Sequence, residues 1–222
     1  MATNLDLEEQ EQLDQLKHFW QQWGNAISTA LAVIALAYLG YTGWNYWQRQ
    51  QASQATVLFD TVERAQRSAD LVLMERAVSD IKDKFGGTVY ASQAALLLSQ
   101  SLQEKDRSDD AQTHLQWVVD HGADSGYQAI ARLRLSAMLI DKKQNEAARQ
   151  LLTTTVPAAY QPLVQDRLGD LAVLDGKKSD AVGLYQSAWN AMDPRAEYRR
   201  LLEIKLAALG VAPKAVPEAN KP

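Results

Sequence analysis

Residues 25–47 read NAISTALAVIALAYLGYTGWNYW, and no Asp, Glu, Lys or Arg occurs between His18 and Gln48. A helix of roughly 20 apolar residues, rising about 1.5 Å per residue, crosses the roughly 30 Å hydrocarbon core of a bilayer. Tryptophan favours the headgroup layers on both sides of that core. The stretch therefore predicts a transmembrane helix, and the tryptophans expected at its two interfaces are Trp20, Trp23, Trp44 and Trp47.

Two other interpretations of this apolar run are a cleaved signal peptide and a buried core helix. A signal peptide needs a basic region at its start and a small-residue cleavage site, which Ala35 and Ala37 would supply. The segment before the run is acidic instead, and the run continues beyond Ala37. A core helix of a soluble protein would rarely lack charge over this length. We therefore expect a permanent anchor.

Residues 1–24 contain five acidic residues and one basic residue, Lys17. Apolar residues from Leu13 to Trp23 recur at spacings of three and four, which predicts a short amphipathic helix leading into the membrane. The segment is either a solvated tail or a docking or degradation signal, and its residues do not distinguish these alternatives.

The charges that flank the run bear on its orientation. Lys17 precedes it, whereas Arg49, Arg64 and Arg67 follow it, so the positive-inside rule weakly favours a cytoplasmic C-terminal side. Long domains cross membranes largely regardless of their charge, and this count therefore leaves the orientation open.

Composition limits the function of the remaining chain. Of the 222 residues, roughly 160 follow the anchor, enough for one compact domain with its own core. The formal net charge of −4 gives no reason to expect binding to nucleic acid. The chain has no cysteine, which excludes disulfides and thiolate metal sites.

Beyond residue 47 the apolar periodicity is helical throughout, with short breaks and no alternating strand pattern. The predicted helices cover residues 48–67, 71–85, 90–103, 110–119, 127–140, 146–155, 163–174, 180–191 and 195–209. Gly86 and Gly87 are expected to end the second of them in the left-handed conformation. Short helices with short connections predict antiparallel helix pairs in one domain, residues 48–209.

The clearest internal pattern lies in residues 168–188, LGDLAVLDGKKSDAVGLYQSA. Its spacing of small and aromatic residues is similar to that of a tetratricopeptide repeat, in which a small residue lets the two helices of a pair approach closely. The positions that carry the pattern are Leu168, Gly169, Gly176, Ala181, Tyr185 and Ala188. This likeness predicts that helix pairs stack into a solenoid.

Two earlier segments match part of this pattern. Ala147 and Leu151 precede Ala181 and Tyr185 by 34 residues, and the pair Ala111 and Leu115 precedes Ala147 and Leu151 by 36. The residues two positions before each alanine are expected to cap the second helices; they are Asp109, Asn145 and Ser179. The predicted fold is therefore all-α, a single transmembrane helix followed by a tetratricopeptide-like α-solenoid, with a generic array of helical hairpins as the alternative.

The end of the chain completes this architecture. Residues 195–209 are expected to form a capping helix, since the last repeat needs a partner for its apolar face. Residues 210–222 are rich in Pro and Ala, and we expect them to be a disordered tail.

No set of residues in the sequence predicts catalysis, a metal site or a cofactor. His18, His114 and His121 are not spaced as ligands that share a helix face with an acidic partner. Acidic residues at 106, 109 and 110 lack the central glycine and closing glutamate of a calcium loop. Phosphate-binding, dinucleotide-binding and serine-hydrolase motifs do not occur. The sequence therefore favours a binding protein over an enzyme.

Two tryptophans of the helical domain, Trp117 and Trp189, are candidates for partner binding. Packing between repeats is the first interpretation of both, and exposure on a groove that holds a partner segment is the alternative. Within the anchor, small residues at Ala26, Ala30, Ala37 and Gly40 could let another transmembrane helix approach.

Several of these features together resemble the YfgM family. They are the acidic N-terminal segment, the GWNYW exit of the span at residues 43–47, the segment YASQAALLLS at residues 90–99, LRL at residues 133–135 and LGDL at residues 168–171. The resemblance implies an ancillary inner-membrane subunit of the bacterial Sec translocon, with a cytoplasmic N-terminus and a periplasmic tetratricopeptide-like domain. It further implies association with SecYEG and with PpiD, a membrane-anchored periplasmic chaperone of the peptidyl-prolyl isomerase type.

Three functions are compatible with these observations. The first is a non-enzymatic scaffold, in contact with membrane lipid, that links the channel to periplasmic chaperones. The second is direct, chaperone-like binding of unfolded polypeptides, which requires an exposed apolar groove. The third is a cytoplasmic adaptor of another envelope assembly, which the charge count favours.

Overall fold

The structure, a computed structural model, describes residues 7–213 apart from the side chains of residues 7–12, 14 and 15. Most of the expected disordered tail, residues 214–222, lies outside the described residues. Within the described range every regular element is helical, which confirms the all-α prediction. The helices are α1 (Leu7–Arg67), α2 (Leu71–Phe85), α3 (Val89–Gln103), α4 (Ser108–His121), α5 (Ser125–Asp141), α6 (Asn145–Leu152), α7 (Gln161–Leu174), α8 (Lys178–Ala191) and α9 (Tyr198–Ala208), with a 3₁₀ turn at Ala158–Tyr160 before α7.

The chain divides into two compact units, residues 1–50 and 51–222. The described part of the first unit belongs to α1, whose apolar side chains are open to their surroundings; Leu36, for example, is 69% exposed. The Thr29 hydroxyl donates to the carbonyl of Asn25 at 2.7 Å, which satisfies this polar group within the helix. A helix in lipid needs internal partners of this kind because no water reaches it there.

Five turns among the described residues of the second unit share one backbone geometry. In each, a residue with positive φ ends a helix, and the next N–H donates to the carbonyl five residues earlier, as Arg107 does to Leu102 at 2.9 Å. This is the Schellman turn that often ends helices. The positive-φ residues are Ala69, Asp106, Lys143, Gly176 and Gly210, at intervals of 37, 37, 33 and 34 residues.

These turns define the repeat. Each of the first four joins the two helices of a pair, so that α1 from residue 51 pairs with α2, α3 with α4, α5 with α6, and α7 with α8. The α9 helix follows as a single helix. Helix α5 contacts both α3 and α7, so the first helices of successive pairs lie side by side. The array therefore contains one pair, α1–α2, that precedes the segments matched in the sequence.

The expected register of the third pair is wrong by one residue. Ala147 is exposed and Leu151 is half-buried, whereas Ala148 and Leu152 are 0% and 2% exposed. In α4 and α8 the buried alanine is the fourth residue of the helix, and in α6, which begins at Asn145, that place belongs to Ala148. The turn before α6 thus determines which of the two consecutive alanines, Ala147 or Ala148, is buried, a choice that the sequence leaves ambiguous.

A leucine followed by a small residue recurs in the middle of α3, α5 and α7. The dipeptides are Leu98-Ser99, Leu135-Ser136 and Leu168-Gly169. Both serines are almost completely buried, so each gives its helix a narrow crossing point. At Gly169 the crossing is closest, because an added Cβ would lie 2.4 Å from the ring of Tyr185. The Leu-Gly pattern occurs in the sequence only at the last of these pairs, because serine replaces glycine in the other two.

The other residues of the tetratricopeptide-like pattern differ in how deeply they are buried. Those that are buried are Ala111, Leu115, Gly169, Ala181, Tyr185 and Ala188, while Leu168 is half-buried and Gly176 lies exposed in its turn at φ 74°.

The expected helix caps are wrong. The residues expected to cap, Asp109, Asn145 and Ser179, lie within the first turn of their helices, and the N-cap residues make no side-chain cap bond. The reason is that the Schellman turn runs directly into the next helix. Side-chain capping occurs instead at α2 and α5, where Asp70 and Asp124 accept from backbone N–H groups at 3.0 and 2.8 Å. Gly86 and Gly87 do not take the expected left-handed conformation, since φ of Gly86 is −55° and that of Gly87 is not positive.

Ion pairs bridge each junction between successive helix pairs at the turn end. They are Glu75–Arg107 at 2.6 Å, Asp109–Lys142 at 2.5 Å and Arg149–Asp175 at 2.8 Å. Water screens ion pairs at such exposed positions, so most of the stability comes from the apolar core. That core is in two parts: a large cluster extends from Val62 to Leu171, and a smaller one joins α8 and α9 to the end of α7.

Candidate interaction surfaces

The transmembrane candidate is the first of the surfaces that the structure presents. Among the described residues, one helix is long and apolar enough to cross a membrane, and none of its most apolar window is buried within the protein. The expected interface tryptophans lie on this helix with their rings open; Trp20, Trp23, Trp44 and Trp47 are 58, 52, 59 and 53% exposed. The rings of Trp44 and Trp47 pack against each other with centroids 5.3 Å apart.

Trp117 lies half-buried on α4, in a polar groove beside α2. Its indole stacks on the imidazole of His121 at 5.4 Å, and the Nζ atom of Lys82 lies 4.7 Å from the ring centre. Burial lowers the pKa of Lys82. Asp109 and Asp120 also line the groove. An aromatic surface held between two basic groups, with carboxylates at the rim, suits a polar or charged segment of a partner better than an apolar one.

Trp189, unlike Trp117, is fully engaged within the domain, because both its ring face and its indole N–H contact residues of α9. The guanidinium of Arg199 lies 3.6 Å from the centre of the indole ring, and the indole Nε1 donates to Glu203 at 3.1 Å. Both partners belong to α9. Trp189 therefore attaches α9 to α8, in keeping with packing between helices.

Beside this contact lies a group of polar side chains, which we call the cap cluster: Asp166, Asp170, Tyr185, Tyr198 and Lys205. Lys205 Nζ donates to Asp166 and to Asp170, each at 2.7 Å. The Tyr198 hydroxyl donates to Asp166, and the Tyr185 hydroxyl to Asp170, again at 2.7 Å. Asp166 is only 1% exposed. The cluster thus ties α9 to α7 and α8 through a carboxylate that has left water.

The electrostatics of the cap cluster follow from this burial. Desolvation, together with the hydrogen bond to Asp170, raises the pKa of Tyr185, and desolvation with the bond to Asp166 does the same for Tyr198. Both phenols therefore stay protonated and act as donors. The sequence did not predict this cluster, because its hydrogen-bonded partners lie 15 to 39 residues apart along the chain and match no motif.

The three histidines differ in exposure. His18 and His121 are exposed, whereas His114 is half-buried on α4 and burial lowers its pKa. In the described part of the chain, no group of three or more His, Cys, Asp or Glu side chains is placed to hold a metal ion. What the arrangement offers chemically is recognition by hydrogen bonds, charge and aromatic stacking.

Comparison with known proteins agrees with this architecture. A family described as "Tetratricopeptide repeat-like domain" matches residues 17–211, a range that includes the apolar helix and the helix pairs. A protein of Neisseria gonorrhoeae named "Ancillary SecYEG translocon subunit" is 35% identical over 204 residues, which cover 91% of this chain and 98% of that protein. An Escherichia coli protein of the same name is 26% identical over 125 residues, 55% of this chain and 59% of that protein. From its fold and from a match along nearly its whole length, the chain belongs to the YfgM family of ancillary SecYEG translocon subunits.

Proposed function

We propose that this protein is a non-enzymatic, single-pass subunit of the bacterial inner membrane that accompanies the SecYEG translocon. Residues 1–24 form a cytoplasmic tail, residues 25–47 the anchor, residues 48–209 the periplasmic repeat domain and residues 210–222 a tail. The observation that carries the proposal is the match to the gonococcal relative, which covers anchor and helix pairs together.

The physical role of such a subunit is to keep a binding domain near the channel. An anchored domain needs only modest contacts, because confinement to the membrane raises its effective concentration beside a partner that shares the membrane. We propose that the repeat domain links SecYEG to periplasmic chaperones such as PpiD. Its groove around Trp117 is the candidate contact, since the indole there is only half-buried and lines the groove together with charged side chains.

Topology is the first test of this proposal. A reporter enzyme that is active only outside the cytoplasm, fused after Leu209, should be active, and a cytoplasmic reporter at the same site should be silent. The reverse result would contradict the translocon proposal and favour a cytoplasmic adaptor. This experiment also decides between the periplasmic repeat domain that the family resemblance implies and the cytoplasmic one that the charges flanking the span weakly favour.

Crosslinking from the anchor tests the channel contact. Ala37 belongs to the face of small residues, and Leu39 lies about 200° away around a helix of 3.6 residues per turn. A photoreactive amino acid at position 37 should crosslink to a subunit of the channel, and the same group at position 39 should yield mainly lipid adducts. Equal yields at both positions would mean that the small-residue face does not mediate the contact.

A second candidate function is direct binding of unfolded polypeptides. It is favoured by exposed apolar side chains near the end of the array: Val173, Leu174, Leu201 and Ile204 are 43, 58, 40 and 58% exposed. A protein with this function should slow the aggregation of a denatured client, and serine at positions 201 and 204 should abolish the effect. Unchanged protection in that variant would exclude this surface as the binding site.

A further inference from the structure

The single helix α9 is attached in a different way from the helix pairs before it. It contributes Leu202 and Leu206 to the smaller apolar cluster, which is separate from the large one. Tyr198 and Leu209 pack at the edge of that cluster. Polar contacts flank it, with the cap cluster on one side and the Trp189 contact on the other. The surface of α7 and α8 that α9 covers is called the cap slot below.

Opening of α9 would cost less than opening of α3 or α5, because α9 lies at the end of the array whereas α3 and α5 pack between neighbouring helices. Two leucines leave a small apolar area to expose, and the charged groups of the cap cluster regain their hydration when the contact separates. Such an opening leaves the large core intact, because the two clusters share none of their buried residues. Regions with few buried apolar contacts are those that open below the free energy of global unfolding.

The cap slot also has a defined ligand chemistry, which α9 displays. Asp166 and Asp170 point two carboxylates at one ammonium group, and Tyr185 provides the ring over which that group sits, 5.3 Å from its centre. A bound helix with no cation at the position of Lys205 would leave the Asp166 carboxylate, which is only 1% exposed, without a charged partner. Such a loss is strongly unfavourable, so the slot selects for lysine by penalising its absence.

We propose that α9 is a removable cap, and that the slot it vacates binds an amphipathic helix of a partner protein. The partner helix would carry a lysine three residues after one leucine and just before another, the arrangement of Leu202, Lys205 and Leu206. In the closed state α9 is the competing ligand, tethered at an effective concentration on the order of millimolar. A partner therefore binds when its helix fits better than α9 does, or when α9 is already displaced.

The first test is native-state hydrogen exchange on the full chain in detergent micelles. Amide hydrogens of α9 should exchange at least about tenfold faster than those in the middle of α3 and α5, through an opening that needs little denaturant. Exchange of all three helices at one common rate, with the same denaturant dependence, would overturn the proposal, because α9 would then open only with the whole domain.

The second test adds the cap in trans. The probe is a fluorescent peptide of residues 195–211, RAEYRRLLEIKLAALGV, titrated with the full chain carrying Leu206→Ala, which weakens the chain's own cap. The matched control is Leu201→Ala on the same helix, since Leu201 is 40% exposed whereas Leu206 is fully buried. The peptide should bind the Leu206→Ala chain at least about tenfold more tightly than the control, as expected when a tethered competitor is weakened. A peptide with Lys205→Glu should not bind.

Each alternative outcome of the second test counts against the proposal. Equal binding to both chains would mean that the peptide adheres to some other surface, and no binding to either would mean that the slot does not accept a free helix. If Leu206→Ala unfolds the whole array, as circular dichroism would show, Leu206→Val replaces it as the milder change. Binding that persists when Asp166→Asn and Asp170→Asn are added would refute recognition of the lysine.

Discussion

Replacing Gly169 with alanine tests the closest contact in the repeat. The new Cβ would meet two ring carbons of Tyr185 at 2.4 and 2.6 Å, distances that no methyl group tolerates. The ring is 3% exposed and its hydroxyl is bonded to Asp170 at 2.7 Å, so it cannot move aside without breaking that bond. Overpacking costs about 1–3 kcal/mol and the bond to a charged partner about 1.5–3, while the better helix propensity of alanine returns about 1. We expect a loss of about 1.5–5 kcal/mol in the free energy of unfolding.

The matched control for this change is Gly183→Ala on α8. A Cβ there would meet no atom within 4 Å, so the same substitution should stabilise the protein by about 0.5–1 kcal/mol. Denaturant unfolding of the full chain in micelles, followed by circular dichroism, measures both. If Gly169→Ala proves as stable as Gly183→Ala, the close crossing of α7 and α8 is not as the structure has it.

The other pairs suggest how to rescue this variant. Where Tyr185 lies in the fourth pair, the second and third pairs have leucine, and where Gly169 lies they have the buried serines Ser99 and Ser136. The double change Gly169→Ser with Tyr185→Leu should therefore be less destabilising than Gly169→Ser alone. A double variant that is worse than the single one would show that the three crossings are not equivalent.

Three further predictions concern charge. Lys205→Met should speed amide hydrogen exchange of α9 by at least about tenfold, because it leaves the buried Asp166 carboxylate without its cation while α9 is docked; Lys177→Met, at an exposed position, should change little. The lowered pKa of His114 means that its neutral form is favoured in the folded state, so its contribution to stability is full above pH 6.5 and falls below it. Melting temperatures measured between pH 5 and 8 would show this dependence. The His114→Gln variant should show a flatter profile. Arginine at Leu36, in the middle of the apolar run, should add about 2.5–3.5 kcal/mol to the cost of membrane insertion, and carbonate extraction of membranes would show loss of the anchored fraction.

The order and type of the helices followed from the sequence because local signals specify them. Apolar periodicity at 3.6 residues and the short breaks between helices placed α2 at residues 71–85, the bounds that the structure has. The turns between helices were less predictable. Ala69, Asp106 and Lys143 take positive φ although they are not glycine, so among the described residues glycine marks only the last two of these turns, at Gly176 and Gly210. This is why the third pair was placed one residue too early, at Ala147.

The interaction surfaces were predictable only in part. The four tryptophans around the apolar run were expected from composition alone, since membrane interfaces select residue types rather than contacts. The cap cluster was not, because Asp166, Tyr198 and Lys205 become neighbours only when the fourth pair and α9 stack. Single charged residues on an amphipathic helix follow the pattern of an ordinary solvent-exposed face. That pattern does not predict that residues from different helices will form hydrogen bonds with each other.

The ion pairs at the junctions show how the sequence specifies the order of the helix pairs. In the first junction the earlier pair supplies the acid, Glu75, and the later pair the base, Arg107; the second junction repeats this with Asp109 and Lys142. The third junction reverses the signs, with Arg149 on the earlier pair and Asp175 on the later one.

This reversal gives the weak surface pairs a role other than stability. If the fourth pair stacked on the first or the second, Asp175 would face Glu75 or Asp109, and two carboxylates would be brought together. If the second pair, or a second copy of the third pair, stacked on the third pair, its turn would place Arg107 or Lys142 against Arg149. Each correct pair contributes little, but each of these four incorrect junctions adds a like-charge contact and loses a favourable one. Charge reversal of Arg149 and Asp175 together should thus preserve the melting temperature, while either reversal alone should lower it, and additive effects in the double variant would refute this account.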